Sequence, residues 1–188
     1  MGGPATLLVI GIHREELAFG TAVAAGLDPR QVEVLAIPDG LSGRRPRPDQ
    51  RFQYDTLHRA LYRQLLSYVR PHHRLLLDLH TGTDPDGPCA DIYCRDIGRL
   101  KGILAGLTLP GPAPRLFALG QGGEGESAET VIPDEIWCNP AFLYVGLEVY
   151  LPQAGAGRDI DQAYGRALVG ALCAALAADL SVAPTVLP

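Results

Sequence analysis

The sequence lacks the features that mark several large classes of protein. Its longest uncharged apolar stretch near the C-terminus, residues 167–178, is too short for a bilayer-spanning helix. Of its 16 basic residues only Lys101 is a lysine, and 21 acidic residues bring the net charge to −5, which argues against non-specific nucleic-acid binding. Its 4 cysteines form no C-x-x-C pair, so a thiolate zinc site is disfavoured. We therefore expect a reduced, cytoplasmic protein that binds neither membranes nor nucleic acids.

Apolar residues are abundant, at 47% of a 188-residue chain, which is enough for one domain with a substantial core. Short apolar runs alternate with segments of helical spacing. The predicted strands are 7–12, 32–37, 75–79, 91–94, 115–119 and 142–151, and the predicted helices are 16–27, 54–69, 96–107 and 159–180. This alternation predicts a single three-layer α/β domain whose central sheet is mixed but mostly parallel.

Three of the predicted strands carry polar side chains at or near their C-terminal ends. His13 follows the first strand with Glu16 three residues later, Asp78 and His80 end another, and Glu148 lies within the last. In open α/β sheets ligands bind beyond the carboxyl ends of the strands, so these side chains are expected to converge. Two histidines and a glutamate form the ligand set of a hydrolytic zinc site with a position open for water. Glu148 is then the natural general base, because a glutamate in an apolar strand is costly without a role or a partner.

Each of these residues also has an ordinary explanation. Glu16 begins a helix, where the macrodipole favours an acidic side chain. His80 could cap a strand, Asp78 could accept from loop amides, and Glu148 could form an ion pair with one of the arginines. The ordered set at the strand ends favours a site over these separate explanations.

The motifs resemble those of the succinylglutamate desuccinylase/aspartoacylase family, a branch of the zinc carboxypeptidase superfamily. Residues 11–16 read GIHREE where the family has G-x-H-G-N-E, residues 50–52 read QRF within its D-L-N-R-x-F stretch, and residues 78–80 read DLH. Glu148 lies on a late strand, as the catalytic glutamate does in the family. The resemblance extends from residue 7 to residue 151.

This resemblance implies a zinc carboxypeptidase-like (phosphorylase/hydrolase-like) fold, with residues 1–188 as one catalytic domain that lacks the C-terminal β-domain of many relatives. It implies one zinc ion per chain, held by His13, Glu16 and His80, with Glu148 as the general base. The implied reaction is zinc-dependent hydrolysis of the amide bond of a small N-acyl amino acid or of a C-terminal peptide-like substrate.

Substrate contacts are predicted from the same resemblance and from a basic loop. Arg51 matches the arginine that holds a substrate carboxylate, a task that suits the planar guanidinium, and Gln50 replaces the family's asparagine. Arg45 belongs to an arginine-rich loop over 41–51. This loop suggests an anionic substrate, although solvated arginines explain it equally well. We expect Arg51, Gln50 and Arg45 to contact the substrate.

Two departures from the family pattern motivate an alternative function. Pro48 stands where the family has the aspartate that orients the first metal-binding histidine, so Asp49 or Asp78 would have to orient the ligands instead. Residues 14–15 are Arg-Glu in place of Gly-Asn. The alternative is a catalytically inactive metal- or ligand-binding protein that retains the carboxypeptidase-like fold.

Residues 120–125, GQGGEG, match the G-x-G-x-x-G pattern of dinucleotide-binding proteins. That fingerprint requires a helix to open at the motif, whereas acidic residues and Pro133 follow here. We interpret 120–140 as a long loop beside the site, in the position of a lid.

The remaining expectations concern surface histidines and assembly. His58, His72 and His73 have no partners at ligand spacing, so we predict that they lie on the surface. The sequence leaves the oligomeric state open, although an exposed sheet edge would favour a homodimer.

Overall fold

The computed structural model describes residues 3–104, 109–120, 127–128 and 130–181. Its strands are β1 (Thr6–Ile10), β2 (Val32–Ala36), β3 (Leu75–Thr83), β4 (Cys89–Cys94), β5 (Arg115–Leu119), β6 (Ser127–Ala128) and β7 (Leu143–Leu151). Its α-helices are α1 (Leu17–Ala24), α2 (Arg51–Leu65), α3 (Ile97–Leu104), α4 (Asp134–Trp137) and α5 (Asp159–Ser181), and 3₁₀ turns at Arg14–Glu16 and Pro48–Gln50 precede α1 and α2. No helix in the described part of the chain is long and apolar enough to cross a membrane.

The described strands form one sheet in the order β2-β1-β3-β7-β4-β5-β6. Every neighbouring pair is parallel except β4 and β7, which are antiparallel. One face of the sheet packs against α1, α3 and α5, and the other against α2 and α4. The predicted three-layer α/β class with a mixed, mostly parallel sheet is therefore confirmed.

Most predicted elements are present with shifted ends, and two shifts affect the site. β1 ends at Ile10 rather than at residue 12, because Gly11 adopts φ +82°, where a Cβ would lie 2.6 Å from the carbonyl oxygen of Ile37. β3 continues to Thr83 because it pairs with β7 along its whole length. The chain therefore turns sharply before His13, whereas His80 is held within the sheet.

The loop predicted at 120–140 contains the short elements β6 and α4. Residues 121–126 and 129 lie outside the described residues, and with them most of the GQGGEG motif. The proposed lid is thus a prediction without a structural description.

Helix α2 packs polar side chains as well as leucines against the sheet. Leu57 is 46% exposed, whereas His58 is 3% and Tyr62 is 3% exposed. Tyr54, His58 and Tyr62 recur every four residues, which places them on one side of the helix. This polar stripe lies over the C-terminal ends of β1 and β3, next to His13 and His80, while Leu61 and Leu65 of the same helix pack in the core.

Candidate metal centre

His13, Glu16 and His80 come together at the C-terminal edge of the sheet. The 3₁₀ turn Arg14–Glu16 brings the Glu16 carboxylate back to His13, with 2.8 Å between His13 Nδ1 and Glu16 Oε1. His80 reaches the same carboxylate from β3, with 2.9 Å between its Nδ1 and Glu16 Oε2. One ligand atom from each residue lies within 4.8 Å of the other two. The three predicted metal ligands thus face one point.

The opposite nitrogen of each imidazole has a partner of its own. His80 Nε2 lies 2.8 Å from Asp78 Oδ2, and His13 Nε2 lies 3.1 Å from His58 Nε2. An imidazole that donates from Nε2 keeps a lone pair on Nδ1, which is the form that binds a metal. The donor set of two nitrogens and a carboxylate fits zinc. These residues therefore suit a divalent cation bound between the two Nδ1 atoms and Glu16.

Asp78 is the fixed acceptor beneath His80. Its side chain is fully buried, and its Oδ2 accepts hydrogen bonds from the hydroxyls of Tyr62 at 2.7 Å and Tyr144 at 3.0 Å. Burial, reinforced by the Asp78 charge, raises the pKa of both tyrosines well above 10, so both remain donors. Asp78 therefore holds His80, whereas the first histidine, His13, is held by a different residue.

The electrostatics of the centre favour an ionised carboxylate. Burial by itself would raise the pKa of Glu16, but the hydrogen bonds from His13 and His80 outweigh it and hold that pKa at about 2. Burial would likewise lower the pKa of His80, yet the charges of Asp78 and Glu16 raise it well above 6.5. A cation bound at the site would replace the Nδ1 proton of His80, so metal binding is expected to release protons.

Glu148 lies in the same cavity, which has a volume of about 400 Å³. It is the register partner of His80 on the parallel strand β7 and therefore points to the same face of the sheet. Its Oε2 lies 3.3 Å from the Tyr93 hydroxyl and 3.2 Å from the Tyr150 hydroxyl. Burial raises the pKa of both tyrosines, so their hydroxyls stay protonated and orient the Glu148 carboxylate.

The same two hydroxyls connect Glu148 to the buried Asp91, which pairs with the exposed Arg115. The Tyr150 hydroxyl lies 2.9 Å and the Tyr93 hydroxyl 3.3 Å from Asp91 Oδ2, so Asp91 and Glu148 share the single proton of each hydroxyl. Arg115 contacts both oxygens of Asp91, at 2.6 and 2.9 Å. These two contacts from Arg115 fix the Asp91 carboxylate. The tyrosine hydroxyls between Asp91 and Glu148 in turn restrain Glu148.

The predicted substrate-binding residues lie beside this cavity rather than in it. Arg51 is the first residue of α2, is largely exposed, and places its Nε 3.9 Å from Asp55 Oδ2. With Arg45 and Arg47 it lines a second cavity of about 450 Å³. Tyr54 lines both cavities, which are therefore adjacent.

Gln50 was expected to contact the substrate and Asp49 to orient a metal-binding histidine, but both lie in the turn before α2. Gln50 accepts a hydrogen bond from the backbone N–H of Arg47 at 3.2 Å and so closes the 3₁₀ turn before α2. Asp49 is exposed in the same turn, and the partners of His13 are Glu16 and His58 instead. The structure brings neither Gln50 nor Asp49 to the metal centre.

Glu15 stands where the family pattern has an asparagine, and the structure shows what its side chain does. The Glu15 carboxylate accepts hydrogen bonds from the Ser42 hydroxyl and the Gly43 backbone N–H, both at 3.1 Å. It thereby fastens the start of the arginine-rich loop beside His13. Glu15 therefore positions the loop that carries Arg45.

Sequence reasoning missed the contribution of α2 to the site. His58 was predicted on the surface but is buried against His13, so this prediction is wrong. Tyr54 and Tyr62 were not considered as site residues. Their four-residue spacing around His58 was the available signal.

His72, His73 and Glu33 form the other histidine–carboxylate group among the described residues, at the opposite end of the sheet. His73 is 1% exposed, which contradicts its predicted surface position. Its Nδ1 accepts the Arg70 backbone N–H at 2.9 Å, so its Nε2 carries the proton and donates to Glu33 at 3.1 Å. An imidazole used in this way has no free nitrogen for a metal, and we interpret the contact as a hydrogen bond from the buried His73 to the exposed Glu33.

No family model and no curated protein match this chain. Among solved structures it is similar to murine aminoacylase 3, with 17% identity, a TM-score of 0.46, and 96% of this chain covering 67% of that one. It is also similar to an aspartoacylase family protein from Mesorhizobium loti, with 18% identity, a TM-score of 0.48, and 91% of this chain covering 58% of that one.

A third similar structure is the succinylglutamate desuccinylase from Vibrio parahaemolyticus, with 14% identity, a TM-score of 0.46, and 93% of this chain covering 66% of that one. The chain thus spans two thirds or less of the length of most of these proteins. The similar structures include proteins named for the family that the sequence motifs resemble. At these identities and TM-scores the similarity does not assign a function to this chain.

Proposed function

We propose that this chain is a metal-dependent hydrolase of amide bonds, with one zinc ion held by His13 Nδ1, His80 Nδ1 and Glu16. The observation that carries the proposal is the convergence of both Nδ1 atoms on Glu16 while each Nε2 has a partner behind it. Bound zinc would polarise the substrate carbonyl and lower the pKa of a water to about 7.

Glu148 has the position of the general base in this proposal. It shares the cavity with the three metal ligands, and two tyrosine hydroxyls fix its orientation. It would accept the proton of the attacking water and deliver it to the leaving nitrogen, the sequence of steps that hydrolysis of an amide requires.

The adjacent arginine cavity suggests the class of substrate. An amide bound beside Glu148 would extend past Tyr54 towards Arg45, Arg47 and Arg51. Guanidinium groups bind carboxylates in a bidentate way, so we propose a small N-acyl amino acid or a C-terminal peptide whose carboxylate lies in the second cavity.

One observation favours a second candidate, a metal- or ligand-binding protein without turnover. Arg51, the arginine that the family resemblance assigns to the substrate carboxylate, lies outside the cavity that contains Glu148. A substrate too short to reach Arg51 would lack this contact.

Glu148→Gln separates the two candidates. The zinc-loaded protein is first screened against N-acyl amino acids and short peptides, and the variant is then assayed on the best substrate. An enzyme should lose about 10²–10⁴-fold in kcat while keeping its zinc, because only the proton acceptor is removed. Glu135→Gln, at an exposed ion pair with Arg63, is the matched control and should retain activity. Failure of the zinc-loaded protein to hydrolyse any of these compounds, or full activity in Glu148→Gln, would contradict the proposal.

A further inference from the structure

His58 lies between helix α2 and the first histidine of the metal centre. It is buried, its Nε2 is 3.1 Å from His13 Nε2, and its Nδ1 is 2.8 Å from the backbone carbonyl oxygen of Tyr54. The Tyr54 ring packs on the imidazole, with 3.8 Å between ring centroids. The orientation of His58 is therefore fixed by its own helix.

These contacts determine which nitrogens carry protons when His58 is neutral. A carbonyl oxygen only accepts, so the Nδ1 of His58 must donate to Tyr54. Its Nε2 then has a lone pair and accepts from His13 Nε2. With a metal bound at the centre, His13 then presents the lone pair of Nδ1 to the metal, whereas without the metal Nδ1 carries a proton and donates to Glu16.

We propose that His58 is a positioning residue that fixes the tautomer and ring orientation of His13 for metal binding. The inference rests on the proposed metal site and assigns to His58 the role that Asp49 or Asp78 was expected to fill. Asp78 holds His80 instead, so the two ligand histidines have different partners, a carboxylate for His80 and a neutral imidazole for His13.

Two amide substitutions separate positioning from packing. The side-chain oxygen of glutamine can occupy the position of the His58 Nε2 atom, whereas the shorter asparagine reaches only the position of Nδ1. In His58→Gln the acceptor for His13 is retained, and in His58→Asn it is lost. Loss of an outer partner of a metal-binding histidine typically weakens metal binding about 10–100-fold.

Zinc affinity is measured by competition with a chromophoric chelator. We expect His58→Asn to bind zinc about 10–100-fold more weakly than the wild type and His58→Gln to stay within about threefold of it. His72→Asn, at the opposite end of the sheet, is the control and should bind zinc as the wild type does. Equal affinity of His58→Asn and the wild type, or equal losses in both His58 variants, would overturn the inference.

The tautomer of His13 distinguishes positioning from packing, because a change in packing alone would not alter which nitrogen carries the proton. In long-range ¹H–¹⁵N spectra of the zinc-loaded protein, His13 should carry its proton on Nε2, and exchange of that proton with water should be slow in the wild type and His58→Gln. His58→Asn should exchange it rapidly. Slow exchange in His58→Asn would overturn the inference but leave the proposed function intact, whereas a wild type that takes up no zinc would contradict both.

Discussion

Asp78→Asn is the substitution whose effect follows most directly from the structure. The asparagine keeps the shape of Asp78 but removes the charge that His80 Nε2 faces at 2.8 Å. Loss of this partner should weaken zinc binding about 10–100-fold, which corresponds to about 1.4–2.7 kcal/mol.

Stability should fall as well, because Asp78 is fully buried and also accepts from Tyr62 and Tyr144. Hydrogen bonds to a charged acceptor contribute about 1.5–3 kcal/mol each to stability, and those between neutral groups about 0.5–1.5 kcal/mol. The two hydrogen bonds from the tyrosines should therefore contribute about 2 kcal/mol less to stability in the variant. Loss of the ion pair with His80 adds to this, and we expect a decrease of about 2–4 kcal/mol in the free energy of unfolding. Urea denaturation measures this decrease, and chelator competition measures the zinc affinity.

Asp91→Asn is the matched control. Asp91 is also buried on a strand and also accepts from two tyrosine hydroxyls and one cationic side chain, that of Arg115. It does not contact a ligand histidine, so the control should lose stability but bind zinc within about twofold of the wild type. Unchanged zinc affinity in Asp78→Asn, or an equal loss in both variants, would refute the role assigned to Asp78.

Two further predictions concern the substrate and the alkaline stability of the fold. Arg51→Ala should raise KM about tenfold for a substrate with a free carboxylate, since a charged hydrogen bond is lost, and should leave KM for the neutral amide analogue unchanged. Steady-state kinetics measure both values, with Arg59→Ala as the control. Equal changes in KM for the two substrates would contradict the prediction. Burial raises the pKa of Tyr164 from 10 to about 12, so its contribution to stability is complete below pH 10 and is lost as the pH rises towards 12. At pH 11 the loss is about 1.4 kcal/mol. Urea denaturation should therefore show a smaller decrease between pH 9 and pH 11 in Tyr164→Phe, and equal decreases would disprove the assignment.

The convergence of the metal ligands could be predicted from the sequence. Parallel strands end at the same edge of a sheet, and the apolar runs before His13 and His80 indicated two such strands. The position of Glu148 followed for the same reason, since β3 and β7 are parallel neighbours in register.

The groups behind the ligands could not be predicted, because they depend on how α2 rotates over the sheet. The helix buries His58 and Tyr62 and half-buries Tyr54, while Leu57 is 46% exposed, and the polar atoms of His58 and Tyr62 find partners at the site. Burial of polar atoms is favourable only where such partners exist, and partners across the sheet are not visible in a linear pattern.

The local structure at Arg51 differs from the predicted loop for a local reason. The segment 41–51 was predicted as a loop, but the 3₁₀ turn Pro48–Gln50 leads directly into α2, so Arg51 is helical. Proline is well tolerated in the first turn of a helix, which makes this start compatible with the sequence. Arg51 consequently lines the second cavity and not the one that contains Glu148.

The metal content of the purified protein tests the central claim most directly. Elemental analysis of the wild type beside His80→Ala should find about one zinc per chain in the wild type and a large loss in the variant, because the variant lacks one of only three protein ligands. A wild type that holds no metal even after zinc is added back, or a His80→Ala variant that holds as much as the wild type, would contradict the account.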